Sequence, residues 1–415
     1  MTPDRPARAP LPSVGLAAEA ILTDLDARQA LEPDVHGARL FGLVYPTGRD
    51  DLEELMAAVN RRYLFHNALN PFKFPEIAAL ERDVVGMAAG MVHLPEAGGG
   101  SMTSGGTESI LMSMLVNRER AKARGVGRPQ ILVPASAHPA YAKAAHYFEM
   151  DVVTVPLDER WRADVSAAAE LIGPSTAVVV ASAFSYPYGV MDPVVDLAAL
   201  AAEHGAGCHV DACIGGFVLP FLERLGHDVP PWDFRVSGVT EMSADVHKYG
   251  YCPKGASVVL HRDDDWFGHQ VFLYDRWGAG LYGSPGVAGA RPAAPIATAW
   301  AVMHYLGASG YAEIVGGLVE TTGRLRSAID ALEGIDVLGD PIGPVLALCS
   351  DTLDLYAVGD VLDAKGWNLN RNTDPRGLHL MLSPAHADVV DDLVSDLRDA
   401  VAKHGESRGK EARYS

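Results

Sequence analysis

The 415-residue chain has no uninterrupted apolar run of about 18 residues, the length a membrane-spanning helix requires. Residues 1–12 mix Pro, Arg and Ala without an apolar core, so they read as a loose arm rather than a signal peptide or anchor. Cysteine is scarce. Cys208, Cys213, Cys252 and Cys349 form no C-x-x-C pair and no secretory framework, which predicts reduced thiols, no disulfide and a cytoplasmic location. Positive charge is also in deficit: 34 Lys and Arg stand against 53 Asp and Glu, a formal net charge of −19. Such a surface repels phosphate backbones and anionic bilayers, which argues against nucleic acid or a membrane as partner, and any anionic small molecule must meet local positive charge. The sequence contains no internal repeat.

What is present suits a folded catalyst. Hydrophobic residues make up 48% of the chain, enough for one large core and a smaller one. Helix patterns cover 16–29 and 51–63, and strand-like and helix-like runs then alternate over 130–134, 137–149, 151–155, 166–173, 177–183, 194–205 and 207–210. That alternation predicts an α/β fold, a mostly parallel sheet wrapped by helices with ligands outside the carboxyl ends of the strands. Further on, helix-length patterns at 297–306, 311–332, 354–366 and 385–404 surround short strands at 345–348 and 378–382, a small C-terminal α/β domain. The expected divisions are N-terminal arm and helices 1–60, a large cofactor-binding domain 61–291, a small domain 292–404 and a disordered tail 405–415.

The chemistry centres on the stretch from Ser243 to Ser257, which puts Lys248 beside His247 between two strand-like segments. A lysine amine condenses with carbonyls, and an aldehyde cofactor such as pyridoxal 5'-phosphate (PLP) is held that way. Three other stretches supply what such a cofactor needs. Thr103-Ser104-Gly105-Gly106-Thr107-Glu108-Ser109 opens a helix-patterned run, so its backbone N–H groups form a phosphate cradle. Asp211 ends a strand-like segment, where a carboxylate keeps a pyridine nitrogen protonated. His138, in Ser136-Ala137-His138-Pro139, offers a flat ring for stacking. Each has a plainer reading taken singly, as a Gly-rich turn, a strand-end cap or a loop histidine; the four in this order point to a PLP enzyme.

The runs GGSMTSGGTESILMSML (99–115), HVDACIGGFVLPF (209–221), WDFRVSGVTEMSADVHKYGYCPKGASVVLHR (232–262) and GLYGSPGVAGARP (280–292) resemble the sphingosine-1-phosphate lyase family, a branch of the PLP-dependent group II decarboxylase-like enzymes. The resemblance covers about residues 42–292 and continues weakly beyond. It implies the fold type I PLP-dependent transferase architecture, a homodimer with shared active sites and, unlike membrane-anchored members, a soluble chain. By resemblance, Ser104, Gly105, Gly106, Thr107, Ser243 and His247 hold the cofactor with Lys248, His138 and Asp211. Gly283 and Ser284 bind the neighbouring subunit's cofactor phosphate, Tyr282 stands near the reacting bond as acid or base, and Tyr45 and Asn67 approach the substrate.

The chain departs from the family where substrate phosphate is bound. The usual pattern is Asn-x-x-His-Pro-Asp-x-Phe-Pro; Asn67 matches, but Asn70 replaces the histidine and Phe72 the aspartate. An amide carries no charge, so phosphate affinity weakens unless Lys73 or His66 compensates. Tyr188 also stands where relatives usually have a histidine. The resemblance implies an aldehyde-lyase that cleaves a β-hydroxy amine such as a sphingoid-base 1-phosphate by retro-aldol chemistry, with Lys248 or Tyr282 handling protons. Asn70 and Tyr188 keep an amino-acid decarboxylase, a carboxy-lyase, as the alternative, and a non-enzymatic cofactor-binding protein is the third reading. No metal is expected. The basic run Arg118, Arg120, Lys122 and Arg124 reads as a solvated helix face and Asp263-Asp264-Asp265 as a solvated turn, while Arg371 and His379 could reach the cleft but read better as surface residues.

Overall fold

The computed structural model describes residues 10–403, 405–407, 409 and 412. The expected arm at 1–12 and tail at 405–415 therefore lie largely outside the described residues.

Strands β1 (Gly99–Thr103), β2 (Gln130–Pro134), β3 (Asp151–Val155), β4 (Thr176–Ser182), β5 (Gly207–Asp211), β6 (Glu241–Ala244) and β7 (Ser257–His261) form a seven-stranded sheet. Their order is β1-β7-β6-β5-β4-β2-β3. The five strands from β6 to β3 run parallel, and β7 is antiparallel to both its neighbours. β4, Thr-Ala-Val-Val-Val-Ala-Ser, is buried at every position, as a β-branched strand covered on both faces should be. The helices Gly106–Ala123, Ala140–Phe148, Val165–Leu171 and Val194–Glu203 provide that cover and the crossovers between parallel strands.

A short hairpin follows, β8 (Phe272–Tyr274) with β9 (Tyr282–Ser284). Beyond it β10 (Asp336–Val337), β11 (Val345–Cys349), β12 (Asn370–Thr373) and β13 (Arg376–Met381) make an antiparallel sheet in the order β10-β11-β13-β12, packed with the helices Leu355–Ala364 and Val390–Lys403. The sequence predicts two helices at 297–306 and 311–332, and two helices lie within Ala293–Asp330, meeting at Gly307, which leaves the helical conformation (φ 56°, ψ −179°). Only glycine adopts that conformation readily, so Gly307 sets the break between the two helices. Among the described residues no helix is long and apolar enough to cross a membrane.

Three surface expectations are corrected by packing. Asp263 caps the helix Asp264–Gly268, its side chain accepting the Trp266 N–H, so the acidic triplet starts a helix. The basic run is engaged rather than merely solvated: Arg118 pairs with Glu119, Arg120 pairs with Asp265 and lies 3.8 Å from the Trp266 ring centre, and Arg124 donates to the Gly205 carbonyl. Arg371 and His379 are buried. Arg371 bridges Asp360 and Asp363 at 2.9 and 2.8 Å, and His379 meets the Tyr186 carbonyl through Nε2 at 2.8 Å. Residue type alone suggests surface, but β12 and β13 turn these side chains inward, where each finds a partner.

Candidate active site

The β6–β7 ladder, with Ala244 opposite Val258, closes the loop that carries Lys248. Gly250 lets this loop turn tightly, because a Cβ there would lie 2.4 Å from the Val246 carbonyl oxygen. Lys248 Nζ sits 3.1 Å from Asp245 Oδ2. Asp245 is buried; burial by itself raises its pKa, but Lys248, His247 and hydrogen bonds from Ser257 and Lys248 bring it net below the ordinary carboxylate value. It therefore remains an anion beneath the lysine. His247 Nδ1 accepts the Ala256 N–H at 3.3 Å, and Nε2 faces Asp245 at 3.6 Å. Burial takes its pKa down to about 4 despite Asp245, with Lys254 and Lys248 adding to the shift, so the ring is neutral at pH 7.

β1 delivers the chain into the N-terminus of the helix Gly106–Ala123. The first-turn N–H groups have no intrahelical partner and form an anion site. Gly106 is required by close packing: an added Cβ would stand 2.7 Å from Cys213 Sγ and 2.9 Å from the Asp245 carboxylate. Glu108, which the sequence reading left without a role, fixes the cradle. Its Oε2 accepts the Ser104 N–H at 2.7 Å and the Ser104 hydroxyl at 2.6 Å, while Oε1 accepts the Val287 N–H at 2.8 Å.

Asp211 ends β5, in register with Ser182 of β4 and Ser243 of β6. Its Oδ1 accepts the Cys213 N–H at 3.1 Å and lies 3.4 Å from Ser243 Oγ. Beyond β2, His138 Nδ1 accepts the Ala140 N–H at 3.1 Å. Burial lowers the His138 pKa, opposed by Asp211, so a neutral flat ring faces the cavity. Lys248, His247, Asp245, Asp211, His138 and the cradle residues Ser104 to Thr107 line one cavity of about 310 Å³, with Phe184 and Tyr186 in its wall. A lysine amine, a strand-end carboxylate, a helix N-terminus with a glycine at close approach and a neutral ring are the donor set that PLP requires, and the cavity fits it.

Other sequence-derived residues lie elsewhere. Ser243 is fully buried behind Asp211. Asn67 accepts the Leu69 and Arg291 N–H groups, and Asn70 accepts those of Phe72 and Lys73. Asn70, Lys73 and His66 are exposed, and none of them lines this cavity. Tyr282, Gly283 and Ser284 stand on β9 outside it, with Ser284 Oγ 3.0 and 3.1 Å from the Gly286 and Ala288 carbonyls. Tyr188 donates to the Asp374 carbonyl at 2.5 Å and lines a second, adjoining cavity.

Tyr45 presents its edge to Tyr249 at 5.0 Å and its ring centre lies 4.6 Å from Lys254 Nζ; neither Tyr45 nor Lys254 is among the residues lining the Lys248 cavity. Lys254 was missed by sequence reasoning. It sits in Cys252-Pro253-Lys254-Gly255, which reads as a turn, yet its ammonium donates to the His247 carbonyl at 3.2 Å. The residue is exposed, but partial desolvation of its ammonium by the groups around it, helped by Lys248 and opposed by Asp245, brings its pKa down to about 8. The signal available was its position in the same loop as Lys248.

The pyridoxal-dependent decarboxylase conserved domain matches residues 17–346. The chain is 39% identical to the sphingosine-1-phosphate lyase of rice (Oryza sativa subsp. japonica), covering 95% of this chain and 74% of that protein. It is 38% identical to sphingosine-1-phosphate lyase 1 of mouse (Mus musculus), covering 95% and 70%. The solved sphingosine-1-phosphate lyase of Burkholderia pseudomallei K96243 superimposes with a TM-score of 0.92 at 36% identity, over 97% of this chain and 95% of that one.

Proposed function

The chain belongs to the pyridoxal-dependent decarboxylase family, on its sphingosine-1-phosphate lyase branch, and from that premise we propose that it is an aldehyde-lyase for sphingoid-base 1-phosphates. It cleaves the bond between the amine-bearing and hydroxyl-bearing carbons, releasing a long-chain aldehyde and phosphoethanolamine. The observation that carries the substrate assignment is Lys254, a second ammonium in the Lys248 loop beside Tyr45. It supplies the local positive charge that a phosphate needs on a protein of net charge −19 and that Asn70 does not provide.

Bound PLP supplies a protonated pyridine ring that takes up the electron pair left when the carbon–carbon bond breaks. Asp211 would keep that ring nitrogen protonated, the cradle N–H groups at Gly105 to Thr107 would hold the cofactor phosphate, and His138 would offer a flat ring to stack against it. Lys248 accepts the substrate hydroxyl proton, and the Asp245 carboxylate, 3.1 Å from Nζ, steadies the resulting ammonium. His247, neutral at pH 7, adds no competing charge beside them.

Decarboxylation is the weaker reading. A substrate α-carboxylate calls for a guanidinium in the cleft, but Arg371 is engaged by Asp360 and Asp363. The proposal includes a homodimer in which Tyr282, Gly283 and Ser284 complete the neighbour's site. The exposed apolar residues Phe272, Leu273, Trp277 and Leu281 on and beside their hairpin support it. An active monomer in sedimentation at micromolar concentration would overturn that part. A cytoplasmic location is also proposed, resting on the four unpaired thiols.

The experiment is incubation of the PLP-loaded protein with sphinganine 1-phosphate, with Lys248→Ala as blank and both products followed by mass spectrometry. Aldehyde and phosphoethanolamine from the intact protein alone are expected. Absence of aldehyde while the visible band of the lysine-bound cofactor is intact would overturn the substrate assignment.

A further inference from the structure

We infer that Gln270 is a positioning residue for the loop that carries Tyr282, Gly283 and Ser284, and that together with Glu108 it couples this loop to the phosphate cradle. The inference rests on the PLP site and not on the substrate assignment. From Val271 to Gly283 no residue is buried, so packing of its own does not place the β8–β9 hairpin. Gln270, at the foot of β8, is only 2% exposed.

The Gln270 amide can be oriented in one way only. The Pro285 carbonyl, just past β9, is an acceptor, so the amide nitrogen faces it at 2.5 Å and also donates to Ser101 Oγ of β1 at 2.7 Å. The amide oxygen then meets His261 Nε2 at 2.6 Å, which makes that nitrogen a donor. His261 is fully buried on β7, and Glu241, its partner in register on β6, backs its other nitrogen at 3.4 Å. The amide thus ties both feet of the hairpin to the edge strand β1 and is itself held from the core of the sheet.

Two residues further on, the Val287 N–H donates to Glu108 Oε1 at 2.8 Å, and a Cβ on Gly286 would stand 2.8 Å from the same oxygen, so the loop lies directly on this carboxylate. The other oxygen of Glu108 accepts the N–H and the hydroxyl of Ser104, the first residue of the cradle. One buried carboxylate therefore joins cradle and loop. A phosphate that fixes Ser104 to Thr107 fixes Glu108, and with it the turn that Gln270 grips from the other side.

The test compares full-length wild type with Gln270→Met, which keeps the length of the side chain and removes its amide donors. Hydrogen–deuterium exchange of the 283–288 amides is followed at saturating PLP, with the β4 peptide 176–182 as control, and PLP dissociation constants are measured by absorbance titration of the apoproteins. Loss of the Pro285 bond is expected to speed loop exchange about five- to tenfold and to raise the PLP Kd by at least about threefold, with the β4 control within about twofold. Loop exchange within about twofold of wild type overturns the clamp. Faster loop exchange at unchanged PLP affinity makes Gln270 an anchor of the hairpin alone and overturns the coupling. If the β4 peptide also accelerates, Gln270→Met has lost global stability, and Ser101→Ala, which strips one acceptor from Gln270, decides by the same readouts. Neither readout involves the substrate, so the lyase reading stands or falls on its own experiment.

Discussion

Replacing Lys254 by methionine keeps most of the side chain's hydrocarbon stem and removes its charge. A hydrogen bond between charged partners contributes about 1.5–3 kcal/mol, equivalent to about 10- to 150-fold in kcat/KM. Because Lys254 is exposed, solvent screening places the expected loss near the lower end. The pH dependence distinguishes this role from simple packing. Burial lowers the Lys254 pKa to about 8, so the ammonium is present below that pH and titrates away above it. The phosphate's second proton leaves near pH 6, so the two charges coexist mainly between those values. The ratio of wild-type to Lys254→Met kcat/KM should therefore rise from acid pH to a plateau around pH 7 and fall toward one as the pH passes through about 8. Taking the ratio cancels the substrate amine and the other groups common to both proteins. Steady-state assays from pH 6 to pH 9.5, repeated at high salt to show screening, measure it. A variant within about threefold of wild type at pH 7, or a ratio that does not change with pH, would refute a phosphate-binding role.

Three further substitutions probe the rest of the site. Gly106→Ala puts a methyl group against Cys213 and Asp245, an overlap that should destabilise the folded protein by about 1–3 kcal/mol in denaturant titrations; unchanged stability would contradict the close-approach argument. Asp211→Asn should still bind PLP but lose about 10²- to 10³-fold in kcat, as when a preorganised electrostatic partner is removed; a loss below about threefold would deny Asp211 its place at the ring nitrogen. Arg371→Met leaves Asp360 buried without its cation and should destabilise the protein by about 3–5 kcal/mol in denaturant titrations. Activity per folded molecule should be unchanged, and a selective rise in KM would instead return Arg371 to the substrate.

The parallel strands β2, β3 and β4 were legible because each is a largely apolar run with β-branched residues bounded by helix-length patterns. The residues with recognisable chemistry, Lys248, Asp211, His138 and the Ser104–Thr107 cradle, converge on one cavity because they fall at strand ends or in the loops that follow. Features that depend on distant segments were not legible. Arg371 reads as surface until Asp360 and Asp363 come to it from a neighbouring helix, and the second cavity exists only where β12 meets three loops of the large sheet. Lys254 was hidden differently: a Pro-Lys-Gly turn looks solvated, and nothing local says that Tyr45, more than two hundred positions earlier, packs over it.

Cleavage between the amine-bearing and hydroxyl-bearing carbons is the central claim, and running the reaction of PLP-loaded enzyme with sphinganine 1-phosphate in D2O tests it most directly. The carbon freed by cleavage takes its new proton from groups that exchange with solvent. Phosphoethanolamine carrying a single carbon-bound deuterium, formed in equal amount with an undeuterated long-chain aldehyde, is the expected result. Turnover that gives phosphoethanolamine without deuterium on carbon, or that consumes the substrate without forming aldehyde, would contradict the account.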